Sequence, residues 1–470
     1  MWDTIPLNGL TPTKVFTRLK NVSKHCFILE SMEDGQLFSR YTFLGYDPEL
    51  EISCRDGDLT IRGDMELHFK TKEPGRYLRD IINGNRSPRY DDMPPFMGGL
   101  AGYFSYDYIK YSEPELCLNA PDEEQFKDFD LMLFNKVIVF DHSKKIIYLI
   151  YNIKTDALNE NYNRAQSELS TMRNIVTSGE SAVIQPIKLE SEFEPLFSRE
   201  EFCEIVRKAK RHIYEGNIFQ VVLSNRLSAK VRGSLFNAYR VLRAINPSPY
   251  MFYFSSDKLE IAGAAPETLV KLENGKLSTF PLAGTRPRGE TPAEDIRLER
   301  ELLTDPKELA EHNMLVDLGR NDLGKISAFG TVNVEKHLSI LRFSHVMHIG
   351  SIVTGQIKDE FTAIDAIAAL LPAGTLSGAP KIRACEIIND LERNKRGIYG
   401  GAIGYVSFNG DMDVCIAIRI AYMKNGRVFI RSGGGVVADS IPEKEYEETL
   451  NKAKAVVGAM KRAQEMDDLL

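Results

Sequence analysis

Strand-like runs in this chain come in groups joined by turn residues, and helical stretches fall between the groups rather than between single strands. Before residue 175, the runs FILES, RYTFLGY, LEISCRDGDLTIRG and FNKVIVFDHSKKIIYLIYN alternate or stay apolar, with Asp56-Gly57 and Asp141-His142-Ser143-Lys144 as hairpin turns. Further on, IFQVVLSNRLSAKV, YMFYFSS, KLEIAGAAPETLVKLENGKLSTFPLAG and GGAIGYVSFNGDMDVCIAIRIAYMKNGRVFIRSGGG behave in the same way. Hairpin-linked strands need no crossover helix. The pattern therefore predicts a mixed α/β fold of the α+β type with largely antiparallel sheets, not a doubly wound parallel sheet.

With 470 residues, 43% of them hydrophobic, the chain can bury one large core or two that share an interface. Polar residues punctuated by Gly and Pro mark 176–198 as a linker, which divides a region 1–175 from a region 199–470. In the second region, REEFCEIVRKAKRHIYEG has helical spacing and a stop at Gly216. The net charge is -7 and the basic residues do not cluster, which argues against a nucleic-acid partner. Binding an anion would then need a local device: a metal ion, an arginine or a glycine-rich turn. The six cysteines are scattered without a CxxC pair, so neither zinc nor a disulfide framework is indicated. The start lacks a leader-like apolar region and no run reaches membrane-spanning length, so the expectation is a cytoplasmic protein with no membrane partner.

Two segments place glutamates three residues apart near a helix start. In Asp305-Pro306-Lys307-Glu308-Leu309-Ala310-Glu311, Asp305 suits the cap, Pro306 the first helical position, and Glu308 and Glu311 share a face. In Ser440-Ile441-Pro442-Glu443-Lys444-Glu445-Tyr446-Glu447-Glu448, Ser440 is the expected cap, Glu445 and Glu448 share a face, and Lys452 lies one turn beyond. Such pairs are either ordinary capping and i,i+4 features or carboxylates that meet around a hard cation such as magnesium.

Arg431-Ser432-Gly433-Gly434-Gly435 follows an apolar strand and reads as a turn, flexible or anion-binding. Gly374-Thr375-Leu376-Ser377-Gly378-Ala379-Pro380-Lys381 lacks the GK[ST] ending and is not a nucleotide P-loop. Pro281-Leu282-Ala283-Gly284-Thr285-Arg286-Pro287-Arg288-Gly289 reads as a rigid corner with solvated arginines, and His345 and His348 each as a core histidine or as an acid or base.

The ordered set APETL, FPLAGTRPRG, DPKELAEHNMLVDLGRNDLG, FSHVMH, GTLSGAPK, YGGAIGY, IRSGGGVVADS and EKEYEETLNKAK, across roughly 200–460, resembles the chorismate-utilising enzymes. These are the anthranilate, aminodeoxychorismate, isochorismate and salicylate synthases. The resemblance implies large, mostly antiparallel sheets packed together with helices outside. It also implies a magnesium ion bound by Glu311 and Glu448, with Glu308 and Glu445 nearby. Chorismate would be held by Gly284, Thr285, Tyr399, Arg419, Gly433, Gly434 and Gly435, with Lys452 balancing charge and Glu267 and His348 beside the ring.

Within the family, water-using members carry Lys where this chain has Gln220, and the 4-amino synthases carry Lys in place of Ala283. Gln220 with Ala283 thus resembles the anthranilate-forming branch, whose first nucleophile is ammonia. That branch implies Glu267 as acid, His348 as base with Thr375 close by, and a glutaminase partner in a heterotetramer of two synthase and two glutaminase subunits. Phe27-Ile28-Leu29-Glu30-Ser31, Arg40-Tyr41-Thr42-Phe43-Leu44-Gly45 and Asn246-Pro247-Ser248-Pro249-Tyr250-Met251 resemble its L-tryptophan feedback segments. These imply an inhibitor site at Ser31, Arg40, Pro249, Tyr250 and Met251.

Overall fold

Alternate residues of single strands enter different cores. In strand Lys136–Asp141, Val137 and Val139 pack into one apolar cluster, whereas Ile138 and Phe140 pack into another. In strand Tyr250–Ser255, Phe252 and Phe254 join the first cluster, and Met251 and Tyr253 the second. A strand apolar on both faces must be covered on both, one face by a second sheet and the other by helices.

That is the arrangement in the computed structural model, which describes residues 1–32, 40–342 and 346–467. Among these, a 13-stranded sheet and a 12-stranded sheet pack face to face. Every named strand pairing in them is antiparallel. Phe27, Phe96, Phe134, Phe252 and Tyr405 fill the layer between them. Helices Pro12–Val22, Leu158–Ser178, Phe236–Ile245 and Pro442–Asp467 cover the outer face of the larger sheet. Ala453, Val456, Ala459, Met460 and Ala463 form the buried stripe of the last helix, at the spacing a helix requires. Helices Pro74–Gly84, Pro306–Gly324 and Ala363–Leu370 cover the smaller sheet. The expected antiparallel sheets with helices outside are what the chain forms.

Both sheets draw strands from either side of 176–198. That stretch is not uniformly irregular. Helix Leu158–Ser178 runs into it, and Lys188–Leu189 and Glu194–Pro195 pair with the long strand Gln220–Arg232. The hairpins at Asp56-Gly57 and at Asp141 to Lys144 form as expected between their strands. The six cysteines are unpaired, five of them buried. Among the described residues, no helix is long and apolar enough to cross a membrane.

Candidate active site

The chain passes between the two sheets at two points that carry functional side chains. Glu267 lies between strand Leu259–Ala265 of the larger sheet and strand Thr268–Glu273 of the smaller. Arg419 lies between strand Met412–Ile416 of the smaller and strand Ile420–Lys424 of the larger. Arg419 adopts φ +52°, a left-handed conformation that costs a non-glycine residue about 1–2 kcal/mol and is characteristic of functional positions.

A cavity of about 570 Å³ opens beside these crossings. It is lined by Gln220, Glu267, Gly284, Thr285, Glu308, Glu311, His348, Thr375, Tyr399, Arg419, Gly433, Gly434, Gly435, Glu445, Glu448 and Lys452. Every residue expected to act on substrate or metal thus reaches one cavity. The sequence suggested no site role for Lys307, Ser440 or Val437, which line it as well. Lys307 is a first-turn helix residue whose position alone carries no signal.

The Gly433 to Gly435 run is not a turn. It continues strand Arg427–Val436, paired with strand Gln220–Arg232 from Val436 back to Arg427. Side chains are excluded by what stands over the strand. A Cβ on Gly433 would come within 2.4 Å of the Leu223 carbonyl oxygen and 3.0 Å of the Tyr399 hydroxyl. One on Gly434 would lie 3.1 Å from Glu445 Oε2 and 3.3 Å from Glu448 Oε1. One on Gly435 would lie 2.3 Å from Gln220 Nε2. The glycines form a bare floor.

The carboxylates come from two helix starts. Asp305 caps helix Pro306–Gly324 as expected, accepting from the Lys307 and Glu308 amides, and this directs Glu308 and Glu311 inward. Ser440, the expected cap of helix Pro442–Asp467, instead accepts from the Val437 amide, and the first helical carbonyl is that of Ile441. The turn before the helix claims the hydroxyl. Lys452 Nζ lies 2.7 Å from Glu448 Oε1 and donates to the Gly433 carbonyl at 2.9 Å. Arg286, expected to be solvated, pairs with Glu301, Asp305 and Glu308 at 3.0–3.1 Å, and Arg288 pairs with Asp295 at 2.6 Å.

Burial and the neighbouring Glu308 push the Glu311 carboxyl above its ordinary range. Burial also raises Glu445, with Glu448 adding to the effect against a bond from Ser440. Crowded carboxylates of this kind are relieved by a cation, and their hard oxygen donors suit magnesium. Among the described residues, no three acidic, His or Cys side chains converge closely enough to hold an ion unaided. A magnesium ion here would take further oxygens from substrate and water.

Burial raises Glu267 to about 7, although Thr375 Oγ1 donates to it at 2.9 Å and Arg419 and Lys452 pull it down. It is therefore a carboxylic acid able to give up a proton near neutrality. His348 Nδ1 lies 2.9 Å from the Gly284 carbonyl oxygen and 3.0 Å from Thr285 Oγ1. A carbonyl only accepts, so Nδ1 carries the proton and Nε2 does not. Burial holds the ring below its ordinary value, and hence neutral. Thr285 pairs with His348 across a bulge, and Gly284 takes φ +64° there. His345 lies outside the described residues.

Gln220 Nε2 reaches Glu311 Oε1 at 3.5 Å, while its amide oxygen is buried and meets no donor among the described residues. Lys381 of the Gly374 to Lys381 stretch is buried, bonding Asp322 at 2.7 Å and the Leu370 carbonyl at 3.0 Å, a structural role.

In the middle of the larger sheet, Ser31 follows strand Cys26–Glu30, which pairs with strand Tyr250–Ser255, and the Met32 amide bonds to the Ser248 carbonyl at 3.2 Å. Ser31 and Pro249, Tyr250 and Met251 are thereby brought together, and the Ser31 hydroxyl is buried without a partner among the described residues. Arg40 stands at the next strand over, with its guanidinium tied to Asp141 at 3.0 Å. The Tyr250 hydroxyl bonds Thr268 at 2.7 Å and Asp413 at 2.8 Å, one residue from Glu267.

A family model described as chorismate binding enzyme matches residues 24–458. Anthranilate synthase component 1 of Aquifex aeolicus is 42% identical over 466 residues, covering 97% of this chain and 94% of the relative. That of Acetivibrio thermocellus is 43% identical over 469 residues, with the same coverages. The crystal structure of anthranilate synthase component I from Streptococcus pneumoniae superposes with a TM-score of 0.77 at 39% identity, covering 90% of this chain and 95% of that one. The menaquinone-specific isochorismate synthase of Escherichia coli, at 17% identity and a TM-score of 0.72 over 98% and 94% of the two chains, shares the fold. The chain belongs to the chorismate-binding enzymes, in the anthranilate synthase component 1 family.

Proposed function

We propose that the chain is the chorismate-binding subunit of an anthranilate synthase. In this reading it converts chorismate and ammonia to anthranilate, pyruvate and water, with magnesium bound and with feedback inhibition by L-tryptophan. The observation that carries the choice of nucleophile is that the cavity wall presents Gln220 and Ala283, neither of them a base or an amine. Gln220 cannot remove a proton from water. Ala283 also lines the cavity and offers no amine to attack the ring.

In this reading, Gln220 orients ammonia for addition at the ring carbon beside the carboxylated one. Glu267 gives its proton to the departing 4-hydroxyl, which leaves as water. His348 Nε2 then takes the ring proton as the ether C–O bond breaks and the ring becomes aromatic, and that proton passes to the departing enolpyruvate, which leaves as pyruvate. Arg419 pairs with a substrate carboxylate, and Tyr399 and the glycine floor bound the ring. Glu311 and Glu448 would hold magnesium directly and Glu308 and Glu445 through water. Held by these carboxylates, a magnesium ion would supply Lewis-acid polarisation of the ring carboxylate. Ammonia is scarce as the free base near neutral pH, so a glutaminase subunit is the expected donor, in a heterotetramer of two subunits of each kind. The component 1 designation of the relatives supports a partner component.

For inhibition, the reading is supported by the Ser31 hydroxyl, which is buried without a partner among the described residues and stands beside the Pro249 to Met251 segment. Tyr250 reaches Thr268 beside Glu267, so tryptophan could favour an arrangement with a disturbed acid. The test is incubation with chorismate, magnesium and ammonium while recording anthranilate fluorescence. Anthranilate formation supports the reading; the 4-amino isomer alone, or no product, overturns it.

A further inference from the structure

Beside the cavity lies a buried charged cluster: Arg431 lines the wall, and Glu392 and Arg396 stand behind it. Arg396 and Glu392 are each 2% exposed, and a second arginine, Arg431, is as deeply buried. Burying charge is expensive, and apolar residues of similar size often serve stability as well or better. Stability is therefore a weak reason for this cluster, and its directional bonds are the better one.

Arg396 Nε donates to Glu392 at 2.9 Å, Nη2 donates to the Val222 carbonyl at 2.7 Å, and Nη1 donates to the Leu376 carbonyl at 2.5 Å. Val222 is two residues from Gln220, and Leu376 follows Thr375. The guanidinium lies 4.7 Å from the Tyr106 ring and 5.8 Å from the Tyr399 ring, close enough for cation–π attraction to both. Glu392 accepts from the Ser224 amide at 2.8 Å and hydroxyl at 2.9 Å, on the strand that carries Gln220. Burial alone would raise Glu392, but Arg396 and Arg431 outweigh it and hold it ionised. From the other side, the Val222 amide donates to the Ser377 carbonyl at 2.9 Å, stitching the Thr375 segment to the same strand.

We infer that Arg396, braced by Glu392, is a positioning residue that fixes Thr375 and Gln220 relative to one another and to the Tyr399 wall. The inference rests on the roles given above to Thr375, Glu267 and Gln220. Lysine at 396 keeps the charge but replaces the fork with a point donor, so it cannot hold both carbonyls and Glu392 in one plane.

The test compares Arg396→Lys, Ser224→Ala and Thr375→Ala in ammonium-dependent anthranilate formation, with free ammonia held constant across pH. In folded Arg396→Lys, kcat is expected to fall about 30-fold while KM for chorismate changes less than about threefold. The alkaline limb belonging to protonated Glu267 should also move upward by about half a pH unit as the Thr375 bond slackens. Arg419 and Lys452, the other charges acting on Glu267, are unchanged in this variant. Ser224→Ala, which trims one bond to Glu392 without touching charge, should lower kcat about threefold in the same pattern. Unchanged kcat and limb in Arg396→Lys overturn the inference. If that variant does not fold, unchanged kcat in Ser224→Ala does so. Full turnover by Thr375→Ala would instead overturn the assignment of Thr375, separating that failure from this one.

Discussion

Three adjacent glycines give three different outcomes for the same substitution. At Gly433, an alanine Cβ would stand 2.4 Å from the Leu223 carbonyl oxygen, which belongs to the paired strand and cannot turn aside. Relief requires the two paired strands to separate by about 1 Å, an overpacking cost of about 1–3 kcal/mol. At Gly435 the clash, 2.3 Å, is with the far end of the Gln220 side chain, which can rotate away. Stability then changes by about 1 kcal/mol or less, but Gln220 loses its place and turnover with ammonia should fall about 100-fold. At Gly434 the neighbours are the Glu445 and Glu448 carboxylates at 3.1 and 3.3 Å. A displacement of a few tenths of an ångström should raise the magnesium concentration for half-maximal activity about tenfold, with little change in melting. Urea denaturation, magnesium titration and ammonium-dependent turnover of Gly433→Ala, Gly434→Ala and Gly435→Ala separate these effects. Equal destabilisation of all three, with turnover per folded molecule intact, would refute the floor as the reason for the glycines.

Glu267→Gln should be nearly inactive and yet more stable than the parent at pH 8. Burial lifts this carboxyl from its ordinary 4.5 to about 7, so the folded state holds its proton more tightly than the unfolded one. Stability is fully present below about pH 4.5 and declines as pH rises through 7, by about 3 kcal/mol in all. Denaturation across that range should show the glutamine variant's advantage growing with pH; a pH-independent difference would contradict the buried acid. His348→Ala should stall after amination and release an aminated, non-aromatic intermediate detectable by chromatography, whereas full anthranilate formation would remove the base assignment. Ser31→Leu should raise the tryptophan concentration for half-inhibition at least about tenfold while sparing ammonium-dependent turnover. Inhibition unchanged in that variant would place the inhibitor elsewhere.

Local signals were legible where the chain settles them locally. The hairpin at Asp56-Gly57, the Asp305 cap with Pro306, and the helix ending near Gly216 each depend on a few neighbouring residues, and each forms as read. Ser440 was misread by one position because the turn from Val437 competes for its hydroxyl. Gly433 to Gly435 looked like a turn because three glycines carry no strand signal of their own. Only the helix above and the strand beside them explain why side chains are forbidden there. Arg286 looked solvated because its partners Glu301, Asp305 and Glu308 lie on segments that fold back onto it.

By itself the sequence determined that the strands are antiparallel and hairpin-linked, since turn chemistry and period-two burial are properties of neighbours along the chain. Through its ordered motifs it also marked which side chains to watch. Only the tertiary structure decided that these residues meet. Gln220 and the glycine floor belong to one sheet, Thr285 and His348 to the other, and Glu267 and Arg419 to the crossings between them. The acidity of Glu267 and the proton on His348 Nδ1 are likewise tertiary. Both are set by burial and by partners far off in sequence, Thr375 for the one and Gly284 for the other.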